Sequence, residues 1–241
     1  MTYLIYSKTG DRLELRGSGR RMSGTGDPGA MADTKQWMMI KVGAFAGMVG
    51  PVLFGAILVV LTTVQYDFMV DIGWRPLEDP AGAWPSGLTL GPYGWAQVLN
   101  FIVSGLLLML LAVGLHIGVD GCGSRVGPGL LLTAGAAMAL MGFETDPILR
   151  EGPRTLHGWI HDLAFALFVL ALLPSFFFLW RKFRKDAPSA PWRNHARYTL
   201  ATGVIAALLI SLPSVAYYLF VVVVLAWMEV TAIRLWRLSR G

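Results

Sequence analysis

The chain has 241 residues, of which 55% are hydrophobic and 15% charged, and its mean hydropathy is +0.56. That is too apolar for an ordinary soluble domain and marks an integral membrane protein. A formal charge of +5 and a pI near 9.6 do not point to nucleic acid, because the basic residues flank the apolar runs, where membrane topology puts them. The single cysteine, Cys122, excludes an intramolecular disulfide.

Residues 1–38 include the run RGSGRRMSGTGDPGA, which has no apolar period, and read as a mobile cytoplasmic tail. No short apolar stretch with a small-residue cleavage site follows it, so the first apolar run is expected to stay as an anchor. The region 39–241 then repeats apolar runs of roughly 20 residues. Each is long enough, at 1.5 Å per residue, to cross a hydrocarbon core of about 30 Å.

The first span covers about 42–65 and carries Gly43 and Gly47, a small-xxx-small spacing suited to close helix approach. A long loop, 66–92, follows, with Trp74 and Trp84 expected at the headgroup level and an acidic patch at Glu78 and Asp79. Its length suggests a lid over one end of the bundle. The second span, about 93–119, places Gln97, Asn100 and Ser104 on one face as a polar stripe, and His116 at its far end reads as interfacial. The third, about 126–143, is dense in Gly and Ala, which suits crowded packing. The fourth, about 156–180, runs into the basic segment RKFRKDAPSAPWRNHAR.

The next apolar stretch is too long for one crossing: a single helix over 198–236 would reach nearly 60 Å. It therefore divides at Pro213 into spans at about 197–212 and 214–236. Glu229 in the last span is expected to pair with His116 or Arg197. The fold class is thus all-α, an integral membrane bundle of six transmembrane helices. With six spans every Lys and Arg except Arg75, Arg150 and Arg154 falls on one side, which places both termini in the cytoplasm and the protein in a prokaryotic plasma membrane.

Between the third and fourth spans, Glu144, Asp146, His157, His161 and Asp162 gather at the opposite face. Ionisable side chains near lipid are costly and usually face a protein interior or water, so this cluster is the leading site. His157 and His161, four apart, lie on one helix face with Cβ atoms about 6 Å apart. With Asp146 or Glu144 they match the ligand set of a zinc or other divalent-metal centre, and Asp146, His157 and His161 equally suit acid and base roles. Asp162 could orient a histidine. Asn100, with Gln97 and Ser104, should lie at a similar depth and line the same pocket. The bland alternative is a polar network in which Asp146, ahead of Pro147, accepts backbone donors at a helix end.

WPSGL at 84–88, GPYGWAQVLNFIVSGLLLMLLAVGL at 91–115, and FETDP followed by TLHGWIHDLAF resemble the bacterial and archaeal membrane family called domain of unknown function 998. The likeness spans about 42–236. It implies a six-helix membrane protein with polar motif positions at Asp146, His157, His161 and Ser86, and no assigned activity. A looser likeness is to membrane zinc amidases of the alkaline ceramidase type, which use a His-x-x-x-His helix with an Asp and a Ser. This chain has six expected spans where those enzymes have seven, and no third histidine on the same face.

Three functions are compatible with these residues. The first is a binding or accessory membrane protein whose partners are membrane lipids. The second is a metal-dependent hydrolase or transferase acting on a lipid, and the third is a small-solute transporter, for which no internal repeat is evident.

Overall fold

The computed structural model describes residues 28–74, 84–119, 125–147, 152–186, 190–212 and 216–240. Tail residues 1–27, Arg75, the Glu78 and Asp79 patch, Cys122, Arg150 and the break at Pro213 lie outside these. The fold is all-helical, and no strand occurs among the described residues. Helix α1 spans Pro28–Val64, the short α2 Tyr66–Asp71, α3 Gly94–Gly118, α4 Val126–Leu140, α5 Leu156–Asp186, α6 Ala190–Ile210 and α7 Ala216–Leu238, with a 3-10 turn at Pro85–Leu90.

Stretches of α1, α3, α5 and α7 are long and apolar enough to cross a membrane, and α4 is a shorter apolar helix. By length and composition this is a multi-pass membrane protein. Several helices overrun their apolar stretches. Helix α1 begins at Pro28, inside the stretch read as tail, and α5 continues to Asp186 through Lys182 and Arg184. Apolarity locates the crossing, whereas Lys, Arg and Gln favour helix almost as much as Leu does, so backbone hydrogen bonding carries the helix onward.

Among the described residues α1, α3, α4, α5, α6 and α7 close into a ring in which α1 packs on α3, α3 on α4, α4 on α5, α5 on α6, α6 on α7, and α7 back on α1. Small residues set how closely neighbours approach. Gly105 of α3 lies against Gly135 and Ala139 of α4, and Gly127 of α4 lies against Leu179 of α5. A gradient runs along α1. A Cβ built on Gly43 would stand 2.6 Å from the Leu110 carbonyl oxygen of α3. One on Gly47 would stand 2.7 Å from Leu111, one on Gly50 3.3 Å from Leu107, and one on Gly55 3.9 Å from Leu225. Helix α1 is thus pressed against its neighbours around Gly43 and Gly47 and less closely towards Gly55. The Gly43 and Gly47 pair is occupied within the chain, by α3 and by Ala232 of α7.

At the tight end Lys and Arg collect, and His195 is buried, its Nε2 3.0 Å from the Thr231 hydroxyl. Trp227 donates to Thr199 across the same α6–α7 contact. Glu229 makes neither expected pair among the described residues: its Oε2 is buried without a partner, and His116 is exposed at the end of α3. An exposed imidazole stays hydrated and has no reason to turn into the bundle.

At the open end, Trp74 is 1% exposed and packs with Leu61, Met69 and Leu88 in a small second core. It faces the protein interior, because α2 and the 3-10 turn fold over it. Gln65, 2% exposed, holds this cap. Its side chain donates to the Leu88 carbonyl and accepts from the Tyr93 N–H, tying the end of α1 to the start of α3.

Candidate functional site

The turn from α4 into α5 is built around Asp146. Its carboxylate accepts from the Thr155 N–H at 3.2 Å and from the Thr155 hydroxyl at 2.7 Å, while that same hydroxyl oxygen accepts the Gly158 N–H at 3.0 Å. Thr155 therefore caps α5, satisfying one of the N–H groups every helix start leaves open, and Asp146 fixes the cap. Gly158 is needed for a steric reason: a Cβ there would run into the Asp146 carboxylate. The Thr-x-x-Gly spacing and the Asp of FETDP are one structural unit.

The histidines share Phe143. His161, 4% exposed, has its Nδ1 2.8 Å from the Phe143 carbonyl oxygen and its ring edge-on to Phe101. His157 is exposed and its ring lies 5.8 Å from the Phe143 ring. Glu144 is exposed, and Asp162 is ion-paired with Arg154, which also stacks over Trp159. Among the described residues no three His, Cys, Asp or Glu side chains converge as a metal-holding group.

Of the expected residues, His161 and Asp162 do meet, with Ser86, at the mouth of a cavity of about 220 Å³. Thr145, Phe101, Met141 and an aromatic group of Trp84, Phe165 and Tyr217 complete its wall. Trp84 lies 4.4 Å from Tyr217 and 5.5 Å from Phe165, centroid to centroid. Phe101, Met141 and Tyr217 also border a second, inner chamber of about 50 Å³, so the two spaces adjoin. The chamber occupies the middle of the ring where the helices part. Its wall is apolar except for Ser104 and the Tyr217 hydroxyl, with Phe54, Met138, Phe168 and Phe220 among its lining.

The α3 stripe is buried and mostly internally bonded. Asn100 donates to the Gln97 side-chain oxygen and to the Phe54 carbonyl of α1, and the Ser104 hydroxyl donates to Asn100. Gln97 and Asn100 border neither cavity, and Gln97 Nε2 is a buried donor without a partner among the described residues. Thr145, Phe101, Met141 and Tyr217 did not stand out from the sequence as site residues. Thr145 sat inside the FETDP motif as a usable signal, whereas the apolar walls are indistinguishable in sequence from any other core position.

A model described as "Protein of unknown function (DUF998)" matches residues 48–235. The chain belongs to this family. The match takes in α3 to α6 whole and the facing parts of α1 and α7, so both cavities lie within the family's common region. No curated protein and no solved structure matches the chain.

Proposed function

We propose that this DUF998 protein is a six-span protein of the prokaryotic plasma membrane that binds an amphipathic lipid, with the polar head in the 220 Å³ cavity and only the first carbons of the chain entering the 50 Å³ inner chamber. The observation that carries this is the pair of adjoining cavities, one with His161, Asp162, Ser86 and Thr145 in its wall, the other almost wholly apolar. A concave site with apolar walls and a few convergent polar groups is the usual form of a small-ligand pocket. The concentration of Lys and Arg at the tight end supports a cytoplasmic location for that end and for both termini.

A lipid hydrolase or transferase using Asp146, His157 and His161 as metal ligands or as acid and base would need those three side chains brought together. The binding reading uses the arrangement as it stands. The test is mass analysis of the apolar molecules retained by the protein purified in mild detergent. Wild type should retain about one amphiphile per chain. Met138→Trp, which fills the chamber, should retain none, while Leu170→Trp, on a surface that is 71% exposed, should behave as wild type. Equal retention by all three proteins would end the proposal.

A further inference from the structure

We infer that the head this mouth accepts is uncharged and hydroxylated, and that it donates a hydrogen bond to Nε2 of His161. The inference rests on the amphiphile-binding reading and narrows it to a ligand class. A carbonyl oxygen only accepts, so the contact between His161 and Phe143 puts the ring hydrogen on Nδ1. In the neutral ring Nε2 is then an acceptor. It has no hydrogen-bond partner among the described residues, and His161 lies in the cavity wall. An occupant placed against it must offer a donor.

Charge narrows the choice. The carboxylate in the lining belongs to Asp162, and Arg154 already neutralises it. Among the described residues no unpaired cation lines the cavity, so an anionic head would meet that carboxylate, and a cationic head would have to compete with Arg154. An uncharged head does neither. Besides the aromatic Trp84 and Tyr217, the lining carries the hydroxyls of Ser86 and Thr145, which make no side-chain hydrogen bond among the described residues and can each give or accept one. One donor for His161 and further hydroxyls for Ser86 and Thr145 describe a polyol head on an apolar chain, the chemistry of a monoacylglycerol.

The experiment compares three probes on the full-length protein in nonionic detergent: 1-oleoylglycerol, its 2,3-di-O-methyl ether, and 1-oleoylglycerol 3-phosphate. Affinity is read by native mass spectrometry. The ether keeps the oxygens and removes the donors, so it should bind roughly three- to tenfold more weakly than the parent, as expected when a hydrogen bond is lost. The phosphate should be weaker by a similar factor. Thr145→Val and Ser86→Ala should each narrow the gap between parent and ether, a readout that does not depend on altering His161, which also holds Phe143. Equal binding of parent and ether overturns donation to His161, and equal or tighter binding of the phosphate overturns the uncharged head. In both cases the amphiphile reading survives. Failure of all three probes to bind overturns this inference and, with loss of the Met138→Trp effect, the amphiphile reading as well.

Discussion

The two ends of the ring are made from the same helices and differ in what they can hold. At the basic end α1, α3 and α7 meet through Gly43, Gly47 and Gly114, with Leu235 against Gly114 and Gly118, so backbones touch and little space remains. Towards the mouth the glycines of α1 lose their close neighbours, Phe54, Phe101 and Tyr217 take over, and the helices separate around the chamber. Residue size along α1 thus sets how closely its neighbours approach that helix. Packing in a membrane depends on such close approach, because lipid tails supply no hydrophobic drive between helices.

The sharpest way to break this contrast is to place a β-branched side chain in the seam. Gly43→Val would push its Cβ substituents against the backbone of Leu110 and Gly114. Backbone cannot yield as a side chain can, so a loss of about 3 kcal/mol or more is expected, seen as a large fall in the unfolding temperature in detergent. Gly55→Val, where the nearest atom is 3.9 Å away, should be tolerated, and equal damage at both positions would remove the gradient as an explanation.

A smaller effect is expected at the rim of the hollow half. Asp146→Ala removes the acceptor that holds Thr155, and Gly158→Ala forces the carboxylate aside; each should cost about 1–3 kcal/mol. Because both act on one cap, the double variant should fall well short of the sum in thermal unfolding, and additive losses would show that Asp146 acts elsewhere. The smallest effect belongs to the Arg154 and Asp162 pair. Both side chains are over 40% exposed, so Arg154→Gln should change stability by less than about 1 kcal/mol, still less at high salt. A larger loss would mean that the rim is stiffer than its exposure indicates.

Hydropathy made the helices of this fold legible, and Gly43, Gly47 and the Gly/Ala-rich α4 were visible as packing surfaces. Their neighbours were not, since spacing shows that a helix can be approached closely but not by which helix. At the site, the TLHGWIH and FETDP motifs did mark the right place. The roles within it were harder to read, because a carboxylate and two histidines at this spacing fit a metal pattern as well as a capped turn. What separates the two is that Thr155 and Gly158 stand ready to use Asp146, and that Phe143 offers a carbonyl to one imidazole and a ring to the other. Thr-x-x-Gly was in the sequence; the fold of the chain back onto Phe143 was not.

In this ring α1 packs on α3 and each of α3 to α6 on the helix that follows it, and the remaining contact joins α1 to α7. Chains emerge from the ribosome N-terminus first, and elements settle in roughly that order. Helix α1 therefore waits through nearly the whole of synthesis with the flank meant for α7 uncovered, Ala232 being the partner that Gly47 still lacks. The ring closes only when α7 has been made, so a chain stopped before α7 leaves an open crescent with that flank of α1 exposed.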